Sequence, residues 1–149
     1  MPQFLRPMAD VINLDTWLTN LDSSLSLFGA IDESALSTSD YIYSVAGLPT
    51  AVYVTRLTTT IEDPASSAGH VIRYTYNKDS SGQTPINLTV ELRQDYVSEI
   101  SQGTLIWTTI HSNIQSSVQS TAAVTLTAAE ADSITAYSSL YLRMTASTA

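Results

Sequence analysis

The chain has 149 residues, a net charge of −8, and 13% charged against 44% hydrophobic residues, enough for one domain with a core of its own. It has no cysteine and two histidines, which excludes disulfides, thiolate chemistry and Cys-based zinc sites and leaves little for a His-based one. The acidic balance argues against nucleic acid and anionic membranes as partners, and the six basic residues, Arg6, Arg56, Arg73, Lys78, Arg93 and Arg143, form no basic run.

Residues 1–10 hold Pro2 and Pro7 with Phe4 and Leu5 between them, which predicts an extended arm, because proline fixes φ and restricts the residue before it. No apolar core of a signal peptide opens the chain and no apolar run reaches membrane-spanning length, so synthesis in the cytoplasm is expected. An apolar arm needs a cover, on its own domain or on a neighbour.

Residues 11–31 read as two short strands around a turn at 20–24. A short helix over 15–21, with Asp15 as N-cap, is the alternative. Residues 32–40 are a polar turn in which Asp32, Glu33 and Asp40 cluster, with a spacing that fits a solvated acidic turn and no calcium loop. Strands follow at 41–45, 51–60 and 70–77, separated by Gly47-Leu-Pro49 and a loop at 62–69.

Residues 86–93 alternate most sharply. Ile86, Leu88, Val90 and Leu92 face one way, and Asn87, Thr89, Glu91 and Arg93 the other. Strand side chains alternate with period two, so this segment predicts a sheet with one dry and one wet face. The loop at 78–83 makes it the hairpin partner of 70–77. A second hairpin is expected from 96–101 and 104–111 around Gln102-Gly103. A strand at 122–126 precedes a short helix over 127–134, whose Thr127 and Glu130 have capping-box spacing. The last strand is 139–146, with Leu140, Leu142 and Met144 inward. About eight strands between turn signals predict an all-β, antiparallel, jelly-roll-like sandwich over 11–149 behind the arm.

Reactive groupings are weak. Glu62, Asp63, Glu91 and Glu99 could supply a glycosidase pair, but Glu91 beside Arg93 reads first as cross-strand ion pairing. No Gly-x-Ser-x-Gly elbow is present, and His70 and His111 read as solvated strand-end residues. Asn87-Leu-Thr89 matches a glycosylation sequon but lies mid-strand. No catalytic residue, cofactor or metal is expected. Tyrosines carry more weight, since they join apolar area to a polar handle. Tyr74 and Tyr76 are expected in the core, and Tyr41, Tyr43, Tyr53, Tyr96 and Tyr141 on the surface.

Three stretches together resemble small structural proteins of tailed phages: Ala-Ile-Asp-Glu-Ser (30–34) leading to 39–44, Gly-His-Val-Ile-Arg-Tyr-Thr-Tyr-Asn-Lys (69–78) with 86–94, and Leu-Thr-Ala-Ala-Glu-Ala-Asp-Ser-Ile-Thr-Ala-Tyr (126–137) continuing to 145. The likeness spans most of residues 30–146 and is thinner over 95–120. It implies a non-enzymatic virion protein on the capsid exterior, a decoration or cement protein. Its partners would be the major capsid protein or another virion protein and copies of itself, with a trimer expected. Phe4, Leu5, Arg6, Pro7, Tyr41 and Tyr43 are the residues expected to meet the partner. A carbohydrate-binding sandwich on a neck or tail, using exposed aromatics on a glycan, is the alternative.

Overall fold

A computed structural model describes residues 3–21, 26–33, 35, 37, 39–79, 84–115 and 119–149. Nine strands, one short helix and two 3₁₀ turns occupy them: β1 (Pro7–Asn13), β2 (Trp17–Thr19), a turn at Leu27–Ala30, β3 (Ile42–Ser44), β4 (Thr50–Leu57), β5 (Val71–Tyr76), β6 (Ile86–Gln94), β7 (Thr104–Ile114), β8 (Ser120–Thr125), α1 (Ala128–Asp132), a turn at Tyr137–Ser139 and β9 (Leu140–Thr148). The strands form one five-stranded sheet, ordered β1-β4-β9-β6-β7, and two two-stranded sheets, β2-β3 and β5-β8. Every pairing is antiparallel. The expected all-β sandwich is therefore present. A division into five, two and two strands does not establish the jelly-roll likeness.

Register explains the layering. β6 and β9 set Leu88 opposite Ala146, Val90 opposite Met144 and Leu92 opposite Leu142, while β4 adds Ala51, Tyr53 and Leu57 to that inner face. The two small sheets and the segments around α1 close over it. Trp17, Leu27, Leu126, Ala131, Ile134 and Tyr137 are buried against it, and Ile42, Ile72, Tyr74, Tyr76 and Val124 pack at its margin. The opposite, outer face carries Thr89, Glu91 and Arg93 of β6 beside Thr145, Arg143 and Tyr141 of β9. The dry face expected of residues 86–93 is there; the expected wet face is polar but largely covered, with Glu91 buried and Asn87, Thr89 and Arg93 only partly exposed.

Several expectations are corrected. β5 and β6 do not form a hairpin. β5 pairs with β8 in another layer, because β6 has both edges occupied, by β7 and β9; of the loop at 78–83 that suggested the hairpin, residues 80–83 lie outside the described residues. Residues 96–101 form turns, with the Val97 and Ser98 amides donating to the Ser101 carbonyl. The second hairpin is β6–β7 itself. A bulge opposite Leu92 and Arg93 adds one residue to β7, so Ile106 and the adjacent Trp107 are both buried while Leu105 and Ile110 are exposed. Gly103 closes that hairpin at φ +65°, where a Cβ would run into the Gln94 carbonyl. Residues 27–30 are a 3₁₀ turn and not a strand, and 17–19 are strand and not helix; the turn expected over 20–24 lies partly outside the described residues. The helix is shorter than expected but starts as predicted. The Thr127 hydroxyl accepts from the Glu130 amide, and the Glu130 carboxylate accepts from the Thr127 amide.

The N-terminal stretch is fastened to its own domain. β1 begins at Pro7, so the boundary expected after residue 10 falls inside a strand. Ahead of it, the Arg6 carbonyl accepts from the Thr58 amide, and the Gln3 side chain exchanges hydrogen bonds with the Glu62 backbone. Asp10 fixes the junction. Its carboxylate accepts from Tyr53 Oη at 2.6 Å and from the amides of Leu27 and Phe28.

Candidate partner-binding surface

The six residues expected to meet a partner fall on two separate surfaces. Leu5 packs against the core margin, and Arg6 and Pro7 are half-buried on the β1 edge, so these three mainly hold the N-terminal stretch down. Phe4 remains 61% exposed with the Arg6 guanidinium 6.0 Å from its ring centroid. Burial of Leu5 follows from the sheet edge, which gives an apolar arm an intramolecular cover.

Tyr41 and Tyr43 lie on the other surface and are both exposed, their ring centroids 6.2 Å apart and tilted by 56°. Alternation along the small β2-β3 sheet produces this. Trp17, Thr19 and Ile42 turn toward the core, so Leu18 and Tyr43, directly opposite one another, turn out. Asn20 holds the entry to β3 by accepting from the Tyr41 amide at 2.7 Å. Leu18, Tyr41 and Tyr43 thus form an exposed aromatic and aliphatic face. Leu18 was overlooked in the sequence, although the alternation in Trp17-Leu18-Thr19 signals it.

Two other tyrosines expected outside are inside. Tyr53 is fully buried on the inner face, where burial first and the Asp10 hydrogen bond second raise its pKa. Tyr96, in the 95–103 loop, is buried beside the Tyr141 ring, and its hydroxyl donates to Glu99. Both histidines also depart from the solvated strand ends expected. His70 Nε2 lies 2.6 Å from Tyr137 Oη. His111 sits within β7, stacks on Tyr76 at 4.0 Å and lies 2.6 Å from Tyr74 Oη. Each ring finds a tyrosine far away in the chain, a contact local sequence does not encode.

Burial lowers the pKa of His111 and raises that of Tyr74 to about 12. A histidine with a lowered folded pKa binds fewer protons folded than unfolded. Its stabilising share is whole above the unfolded value near 6.5 and is lost as pH falls through the folded one. Urea midpoints should therefore fall between about pH 7 and pH 5, and His111→Gln should flatten that slope.

Of the four carboxylates with glycosidase potential, Glu91 and Glu99 are arginine acceptors. Arg143 donates to Glu91 at 2.7 Å and to both oxygens of Glu99, while Arg93 donates to Glu91 at 2.8 Å. Burial alone would raise the Glu91 pKa, but hydrogen bonds from Arg93 and Arg143 outweigh it and hold the carboxyl below its usual range. For Glu99 the Arg143 hydrogen bond leads, and the shift is again downward. A glycosidase acid needs a raised pKa, so this pair is built as an ion-pair lattice. Asp32 and Glu33 are exposed, and among the described residues no group of three or more His, Cys, Asp or Glu is placed to hold a metal. Asn87 accepts from the Asn113 amide, which ties the sequon asparagine into the sheet. No helix among the described residues is long and apolar enough to cross a membrane.

Set against protein-family models, curated proteins and solved structures, the chain matches none.

Proposed function

We propose that this chain is a non-enzymatic structural component of a phage virion, a decoration protein that binds the capsid lattice from outside and stabilises the head. The observation that carries the reading is the exposed Leu18–Tyr41–Tyr43 face on a small sheet whose other side is anchored in the core. A rigidly mounted aromatic patch suits docking to a fixed surface, because ordering costs little on binding. The resemblance over residues 30–146 supports the same reading. Contact through this face needs only modest affinity per copy, since a lattice of sites and association between copies supply avidity.

The N-terminal stretch lies on its own domain, one of the two covers the sequence left open. Removing residues 1–10 would delete half of β1 together with Asp10, so loss of binding after that deletion would report unfolding as much as lost contact. Point changes are the better test. Co-sedimentation with purified heads should fall at least about tenfold for Tyr41→Ala/Tyr43→Ala, a change of roughly 1.4 kcal/mol or more. Phe4→Ala should have a smaller effect. Full binding by the double variant, with its circular dichroism unchanged, would exclude this face.

A carbohydrate-binding module is the second reading, favoured by the adjacent exposed rings of Tyr41 and Tyr43. It ranks lower because rings tilted by 56° do not make one flat stacking platform. Glycan-array binding lost in the same double variant, without head binding, would select it.

A further inference from the structure

The two edges of the five-stranded sheet are protected very differently. A free edge offers a row of unpaired N–H and C=O groups to another strand, and folded proteins usually blunt it with proline, bulges, inward charges or flanking charged side chains. The β1 edge uses most of these. It begins with Pro7, carries register shifts between Pro7 and Ala9 and between Asp10 and Ile12, and turns the Asp10 carboxylate inward onto Tyr53. The β7 edge has register shifts of its own near both ends but lacks the rest. Thr104–Ile114 contains no proline and no Asp, Glu, Lys or Arg, in a chain of net charge −8. Its irregularities flank a regular run, Trp107–His111, which stays in register against Leu88–Leu92. Among the described residues no strand pairs with its far side. Thr108 and Ile110, which follow the register of Glu91 and Thr89, are exposed on the outer face.

We propose that β7 is a self-pairing edge: two copies of the chain join antiparallel through Trp107–His111 about a two-fold axis, making one continuous sheet. An antiparallel strand edge is self-complementary under two-fold rotation, since each donor on one copy meets an acceptor on the other. With the axis at Thr109, Thr108 of one copy lies opposite Ile110 of its partner, both on the outer face. Charge selects a second copy as the occupant. An uncharged edge gives an acidic or basic partner nothing to pair with, and it is a stretch where two chains of −8 can approach without placing like charges opposite each other. The neighbouring Glu91 is already paired with Arg93 and Arg143. The inference is independent of the capsid reading, and the pair it describes differs from the trimer expected from the resemblance.

Sedimentation equilibrium of the full chain should give the mass of two chains, and amide exchange over residues 107–111 should slow as chain concentration rises. Thr108→Lys/Ile110→Lys places like charges opposite each other across the axis and should weaken the dimer at least about tenfold, with exchange at 107–111 no longer dependent on concentration. Ile100→Lys, at a fully exposed position in the 95–103 loop, should leave the dimer intact. If the double variant does not fold, Thr108→Lys alone is read the same way. A monomer from micromolar to millimolar concentration, a trimer, or a dimer untouched by the Thr108 change would overturn the proposal. So would a dimer abolished by Ile100→Lys.

Discussion

Replacing Arg143 by Met should destabilise the protein by about 3 kcal/mol at neutral pH, close to the cost of breaking a largely buried ion pair from one side. Arg143 stands in the middle strand of the large sheet, directly across from Glu91, and its guanidinium also holds Glu99 of the 95–103 loop. The Glu91 and Arg143 side chains are only 10% and 14% exposed, so water cannot readily replace the lost partner. Met fills much of the same volume, and the loss would therefore report uncompensated charge more than a cavity. Glu91 keeps Arg93, but Glu99 loses its only ion-pair partner among the described residues. Urea unfolding measures the effect. Adding Glu99→Gln to the variant should recover part of it.

The pH dependence gives a second reading of the same contact. Both carboxyls are held below their ordinary values in the folded protein, so their contribution is whole above the unfolded value near 4.3 and is lost as pH falls through the folded values. The gap between wild type and Arg143→Met should therefore narrow below about pH 4. A gap that stays constant down to pH 2 would mean that packing, not charge, accounts for the loss.

Trp17→Ala should cost about 4 kcal/mol, within the usual range for emptying a buried aromatic site. Trp17 is buried, its ring lies 6.3 Å from that of Tyr53, and it is the main apolar anchor of the three-residue strand β2. A two-stranded sheet of this length does not persist without packing. Trp17→Ala should therefore loosen the whole β2-β3 unit and, under the proposed function, abolish head binding through Tyr41 and Tyr43 without touching either tyrosine. Trp17→Phe should cost far less, about 1 kcal/mol, because Trp17 Nε1 is buried and has no hydrogen-bond partner among the described residues, so no bond is lost with it. Thermal melts of the two variants check the contrast. Equal losses would mean that the indole nitrogen has a partner in solution.

Much of the architecture was legible because it rests on short-range rules. The alternation of Ile86, Leu88, Val90 and Leu92 marks an inner face whatever that strand pairs with. Thr127 and Glu130 cap a helix within a single turn. Tyr41 and Tyr43 fall on one exposed face because they stand two residues apart, one just before and one within β3. Failures came where a distant segment decides the outcome. Tyr53 and Tyr96 resemble Tyr41 in sequence, yet one is covered by Asp10 and the 3₁₀ turn and the other by its own loop. The bulge at Ile106 reverses the alternation of β7, and no local signal marks it.

The amino-acid sequence by itself determined the fold class, the faces of most strands, the helix cap and the absence of thiol chemistry, since each depends on residue type and spacing within a few positions. Tertiary structure alone decided which strands are neighbours. By inserting β9 between β4 and β6, it set Arg143 beside Glu91, turned the expected wet face into an ion-pair lattice, and left β7 as an edge. Strand pairing is chosen by the free energy of the whole packed core, and that sum is not contained in any one segment.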